Sequence, residues 1–179
     1  MIAESFVAKH ISKTKWQNRV LFLGTSLPIR HMDRYAQAGE HVPLVVANRG
    51  ASGIDGIIST AAGFALGIGE SLVLVVGDMT FLHDINGLSF LKDIPTQIII
   101  VVVNNQGNGI FATLPVVRSP EVFERYFKVP HQHNLKGASL VYGIEHQVAG
   151  TESEFEKLYA EALKSNQSVV IEVVCQSVL

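Results

Sequence analysis

Leu72-Val73-Leu74-Val75-Val76-Gly77-Asp78 and Ile98-Ile99-Ile100-Val101-Val102-Val103-Asn104-Asn105 decide the fold. Each is a short β-branched run, apolar at every position, that stops on small or polar residues. Such a run has no polar face to give to water, so it reads as a parallel strand covered on both sides. Val20–Leu23, Leu44–Ala47 and Val169–Val174 repeat the pattern, and Glu145–Val148 repeats it more weakly. Helical spacings lie between them, over Ile2–Ser12, Asp55–Ile68, His83–Leu91 and Glu152–Leu163. In the last, Phe155, Leu158, Tyr159 and Ala162 share one face, and Thr151 with Glu154 can form a capping box. The alternation predicts a single α/β domain over residues 1–179, a doubly wound, mostly parallel six-stranded sheet with helices on both faces. Residues 1–18 form a lead-in helix and connection.

Composition narrows the function classes. The 179 residues suit one core, with 47% hydrophobic and 17% charged residues and a formal net charge of -2. No basic run suggests nucleic acid or an anionic membrane. No apolar stretch reaches the ~20 residues of a membrane span, and Met1–Lys15 lacks the apolar core of a signal peptide, so the expectation is a cytoplasmic protein. The single cysteine, Cys175, excludes an internal disulfide and reads as a small packed residue.

The polar and glycine-rich clusters fall where the strands end: Gly24-Thr25-Ser26, Asn48-Arg49-Gly50, Gly77-Asp78 and Asn104-Asn105-Gln106-Gly107. Doubly wound sheets bind ligands at the carboxyl ends of their strands. If the strands before Asp78 and Asn105 are neighbours, a carboxylate and an amide oxygen meet at one edge, a donor set that suits Mg²⁺ with phosphate oxygens. A helix opening after Asp78 would aim free N–H groups at a diphosphate. The plainer alternatives are Asp78 as a helix cap and the Asn-Asn pair as a turn. Gly107–Lys128 is long for a connection and hints at a functional cover.

The Asp78/Asn105 pair resembles the fingerprint of the thiamine diphosphate (ThDP) enzymes, in which Gly-Asp-Gly is followed by Asn-Asn. Here Met79 stands in the third position. Three further strings, Gly24–Arg30, Asn48–Gly56 and Asn104–Phe111, are similar to the diphosphate-binding domain of one branch, the 2-succinyl-5-enolpyruvyl-6-hydroxy-3-cyclohexene-1-carboxylate synthases of menaquinone biosynthesis. The resemblance runs from about Val20 to Leu114 and is weaker beyond. It implies a ThDP-dependent transferase that decarboxylates 2-oxoglutarate and adds the remaining unit to isochorismate. It implies Asp78, Asn105 and the Gly107 carbonyl as Mg²⁺ ligands. Gly53, Ile54, Gly77, Asp78, Met79, Thr80, Asn105, Gly107 and Ile110 would hold ThDP. Ser26, Arg30 and Arg49 would meet the substrate carboxylates, for which the arginine fork is suited. Ile110, Phe111 and Leu114 would form an apolar wall.

In that family the glutamate that activates the cofactor lies in a separate pyrimidine-binding domain, so no catalytic residue of that kind is expected in this chain. The expected partners are that domain, from a partner subunit of a homo-oligomer, and small carboxylate substrates. The isolated chain is expected not to turn over.

Rival readings remain open. Another ThDP carboligase or decarboxylase, acetolactate-synthase-like, would share Asp78 and Asn105 without needing both arginines. A non-catalytic dimerisation or regulatory module would not bind ThDP with metal. A plain dinucleotide-binding domain is weaker, since no G-x-G-x-x-G follows the first strand. Arg30 could simply pair with Asp33 on a helix, Arg49 could cap a loop, and Ile54 could be core. His83 and Asp84 read as caps or diphosphate-side support. His131 and His133 read as bland, with no pattern for zinc. His10, His31, His41 and His146 are scattered.

Overall fold

The computed structural model describes residues 1–39 and 42–175, so His41 lies outside the described residues. All six expected runs form strands: β1 (Arg19–Leu23), β2 (Val45–Ala47), β3 (Ser71–Gly77), β4 (Ile98–Asn104), β5 (Glu145–Ala149) and β6 (Val169–Val174). They make one sheet in the order β2-β1-β3-β4-β6-β5, and every neighbouring pair is parallel. The order reverses between β1 and β3, which opens a crevice at their carboxyl ends.

Pleating sends alternate side chains of the central strands into two separate cores. Val73, Val75, Ile99, Val101 and Val103 pack with α1 (Glu4–Ser12), α2 (Leu27–Tyr35) and α7 (Glu152–Lys164). Leu72, Leu74, Val76, Ile98, Ile100 and Val102 pack with α3 (Ile57–Ile68) and with Phe81 of α4 (Asp78–His83). Each such side chain, fully buried, stabilises the fold by roughly 1.5–3 kcal/mol. β4 has no exposed position, which is why its sequence shows no polar alternation. β2, at the edge, keeps Val45 half exposed.

The helices depart from expectation in informative places. α1 begins at Glu4 rather than Ile2, because Ile2 bridges to Cys175 beside β6. Cys175 is buried there, and burial, with the charges of Glu4 and Asp78, pushes its thiol up to about 12. That fits a packed, unreactive side chain. The helix expected over His83–Leu91 is instead two pieces, α4 and a 3-10 stretch Ile85–Lys92. The break falls at Asp84, whose carboxylate accepts from the Ser59 N–H (2.7 Å) and Ser59 Oγ (2.9 Å) and so caps α3. Asp84 is therefore a cap, but for α3 rather than for its own segment. Gly87 allows this docking: a Cβ there would lie 2.9 Å from the Ser59 nitrogen.

α6 (Leu135–Val141) was not anticipated, and α2 only as a helix on which Arg30 could pair with Asp33. α2 starts at a sharp turn in which Ser26 takes φ 70°, and Pro28 sits in the first turn, where a missing N–H costs nothing. The capping box of α7 forms as read: Thr151 Oγ1 accepts from Glu154 N (3.3 Å), and Glu154 Oε2 accepts from Thr151 N (3.0 Å). The segment after β4 is not structureless. It runs through 3-10 turns at Gly109–Thr113 and Pro115–Arg118, then α5 (Pro120–Phe123) and a π turn at Glu124–Lys128.

Candidate functional site

Register between β3 and β4 pairs Gly77 with Val103, so Asp78 and the Asn104-Asn105 pair leave the sheet at the same edge. There Asp78 and Asn105 line one small cleft with Ser26, Ile54, Gly77, Met79, Thr80 and Gly107. Leu27, Pro28 and Val103 close its apolar side. The cleft's cavity is about 30 Å³, room for about two water-sized groups.

Asp78 is buried and heavily engaged. Its Oδ1 accepts from Met79 N (2.7 Å), and its Oδ2 accepts from Gly107 N (2.9 Å) and lies 3.0 Å from His131 Nε2. Burial pushes its carboxyl above the ordinary value, against the pull of the Met79 and Gly107 N–H groups and of His131. An anion is thus costly here without a nearby positive charge. Asn105 is also buried, and its Nδ2 donates to Glu4 Oε1 (2.8 Å). Its Oδ1 is buried with no hydrogen-bond partner. A buried amide oxygen left bare beside a buried carboxylate fits a hard divalent cation. The Gly107 carbonyl accepts one bond, from Gly109 N (3.1 Å), and keeps its second lone pair.

The other expected residues lie outside that lining. Arg30 and Arg49 are exposed, after the carboxyl ends of the neighbouring strands β1 and β2. Arg30 does not pair with Asp33. Its Nη1 donates to the Ser26 carbonyl at 2.6 Å. The Gly53 carbonyl accepts from Thr25 Oγ1 (2.9 Å), which ties the Asn48–Gly56 string to the end of β1. Ile110 and Phe111 are half-buried in the first 3-10 turn, with Phe111 edge-on to Phe127 at 5.6 Å. Leu114 is exposed.

Three residues at or directly behind the cleft were missed by sequence reasoning. His131, read as bland, is buried against Asp78, with its ring stacked on His133 at 5.1 Å. Glu4 is buried in the first turn of α1, and His31 of α2 places Nδ1 3.2 Å from its Oε2. A buried glutamate has no local sequence signature, since Glu4 sits where a first-turn acid is ordinary. Among the described residues there is no cluster of three or more His, Cys, Asp or Glu side chains fit to hold a metal. Nor is any described helix long and apolar enough to cross a membrane.

Comparison with known proteins identifies the family. The family "Thiamine pyrophosphate enzyme, C-terminal TPP binding domain" matches residues 32–173. Similar proteins include 2-succinyl-5-enolpyruvyl-6-hydroxy-3-cyclohexene-1-carboxylate synthases. That of Chlorobium phaeovibrioides is 43% identical over 97% of this chain and 30% of its own length. That of Pelodictyon phaeoclathratiforme is 40% identical over 96% of this chain and 29% of its own length. The chain thus spans about 30% of the length of such relatives. A solved structure of a candidate thiamin diphosphate-dependent enzyme from Mycobacterium smegmatis shares the fold, with TM-score 0.77 and 18% identity over 98% of this chain and 32% of that one. The chain belongs to the thiamine pyrophosphate enzymes, as their C-terminal TPP-binding domain.

Proposed function

We propose that this chain is the domain that holds Mg²⁺ and the diphosphate of ThDP in a cytoplasmic synthase of menaquinone biosynthesis, one that decarboxylates 2-oxoglutarate and adds the product unit to isochorismate. The observation that carries the reading is the partnerless, buried Asn105 amide oxygen beside Asp78 at the ends of adjacent strands. The identity to the Chlorobium synthases supports the choice of branch.

Asp78, Asn105 and the Gly107 carbonyl would ligate the cation. Gly77 leaves the turn free of a side chain, and Met79 and Thr80 open α4 at the same cleft. Ile54, half-buried in the lining, and Gly53 beside it would shape the cofactor seat. When bound, ThDP supplies the electron sink on which a 2-oxo acid loses CO₂. Ser26, Arg30 and Arg49 would bind and orient the substrate carboxylates through charge-assisted hydrogen bonds. Ile110, Phe111 and Leu114 would exclude water, which favours loss of a charged group. The reading places the activating glutamate in a pyrimidine-binding domain in the remainder of the enzyme, supplied across a homo-oligomer, so the chain by itself binds without turning over.

Calorimetric titration with ThDP and Mg²⁺ tests it, with a metal-free control and Asp78→Ala. The expected result is metal-dependent heat that Asp78→Ala abolishes. A folded chain that gives no such heat, alone or with a relative's pyrimidine-binding domain added, would overturn the reading in favour of a non-catalytic module.

A further inference from the structure

We propose that Glu4 is a positioning residue that fixes the Asn105 side chain with its oxygen toward the cation. The inference rests on the reading of Asp78 and Asn105 as cation ligands and adds a residue that the matched family region, residues 32–173, does not contain.

An asparagine amide has two ends of similar shape and opposite hydrogen-bonding character. A cation needs the oxygen, so the site works only if one orientation is enforced. Glu4 supplies the enforcement. Its Oε1 stands 2.8 Å from Asn105 Nδ2. A carboxylate only accepts, so it selects the NH₂ end and leaves Oδ1 for the cleft. The inverted amide would set two acceptors against each other in a buried place, and would turn two N–H groups toward the cation. Both changes are unfavourable where charges are poorly solvated.

Glu4 is itself held. Its second oxygen meets His31 Nδ1 at 3.2 Å. α1 is anchored by Val7 and Ile11 in the core and by the Ile2–Cys175 bridge. Gly109 completes the box: a Cβ there would lie 2.6 Å from Asn105 Nδ2. Burying a glutamate at 8% exposure is costly, and of its two polar contacts one sets the amide and the other holds Glu4 in place to do so. The lead-in helix is on this reading part of the metal site.

Reach and charge can be separated. Glu4→Gln keeps an acceptor oxygen at the same reach and removes the charge. Glu4→Asp keeps the charge and withdraws it by one methylene. The Kd for Mn²⁺ in the presence of ThDP, by calorimetry and by the Mn²⁺ electron paramagnetic resonance signal, is read for both, for Glu4→Leu and for Asp78→Ala. The side-chain amide resonances of Asn105 are read in metal-free protein. Expected are a Gln variant within a few-fold of wild type, and Asp and Leu variants weakened about 10- to 100-fold, the cost of losing an outer-shell partner. The Asn105 resonances should move in Asp and Leu but little in Gln. An Asp variant that binds normally while Gln fails would overturn positioning in favour of a charge role. Wild-type binding by all three would overturn any role. Loss of discrimination between wild type and Asp78→Ala would instead sink the site reading itself. Should Glu4→Leu not fold, the Gln/Asp pair decides alone.

Discussion

The cleft has two halves built in different ways. One is a wall: the carboxyl ends of β3 and β4, buried apart from the half-buried Gly77 and set by strand register. The other is a cover, the segment 107–133, a chain of single turns with Tyr126 largely and Val129 partly exposed. The wall owes its shape to a continuous ladder. The cover is pinned at a few points: Gly107 N and His131 Nε2 on Asp78, Asn108 N on the Lys128 carbonyl (2.7 Å), and His131 N on the Gln106 carbonyl (3.4 Å). Two of these fall on the same carboxylate. The cover and Asp78 are therefore coupled: whatever loosens the cover at these points also strips Asp78 of buried partners.

The largest break in this comparison is expected from Gly107→Ala. Gly107 has φ 148°, and a Cβ there would lie 2.5 Å from the Lys128 carbonyl oxygen and 3.1 Å from that of Val129. Both obstacles are backbone, so the two crossing strands of the cover must part. The expected cost is on the order of 3 kcal/mol by denaturant unfolding, from strain and lost bonds together. Hydrogen exchange should speed up over the cover while β3 and β4 stay protected. A variant within about 0.5 kcal/mol of wild type would mean that the crossing does not hold the cover.

The same division explains what could be read from sequence. β3 and β4 were legible because burial on both faces writes itself into every residue, and Gly77-Asp78 and Asn104-Asn105 follow directly on those runs. α7 was legible through its cap. α2 was visible only as a possible Arg30–Asp33 pairing, which does not form. Glu4 and His131 were illegible because each reaches the cleft by tertiary packing, from the lead-in helix and from beyond the π turn. No spacing relates either to Asp78. The boundary at Asp84 was hidden for the same reason, its partner Ser59 lying in another helix.

A smaller effect tests whether the wall is held from behind. Glu172 of β6 accepts from Asn104 Nδ2 (2.7 Å) and meets His146 Nε2 (2.9 Å). Asn104 Oδ1 in turn accepts from Gln106 N (3.0 Å), where the chain leaves the wall for the cover. Burial pushes the Glu172 carboxyl up, but the bonds from His146 and Asn104 and the nearby charges of His146 and His131 bring it below its ordinary 4.5. The folded value is the lower one, so its stabilisation is complete above about pH 4.5 and is lost as pH falls through the folded value. Glu172→Gln should remove that part of the acid limb and cost about 1 kcal/mol at neutral pH. An unchanged acid limb would detach Glu172 from the wall's stability.

The smallest expected effect carries the opposite sign. Val129 lies at φ 46°, ψ 59°, a left-handed conformation that a β-branched side chain tolerates poorly. It precedes Pro130, which further disfavours compact backbone before it. The strain is worth roughly 1–2 kcal/mol, and glycine would remove it. Against that stand the extra freedom glycine gives the unfolded chain, roughly 0.5–1 kcal/mol, and the contacts of a side chain that is 43% exposed. Val129→Gly should therefore leave stability unchanged or raise it by up to about 1 kcal/mol, measured as a denaturant midpoint shift at constant slope. Gly107 and Val129 face each other across one crossing, and both have positive φ. Only at Gly107 does backbone fill the space a Cβ would need, so the two substitutions should move stability in opposite directions or not at all for Val129. A clear loss on Val129→Gly would show that the cover is held by the packing of that side chain as well as by its backbone bonds.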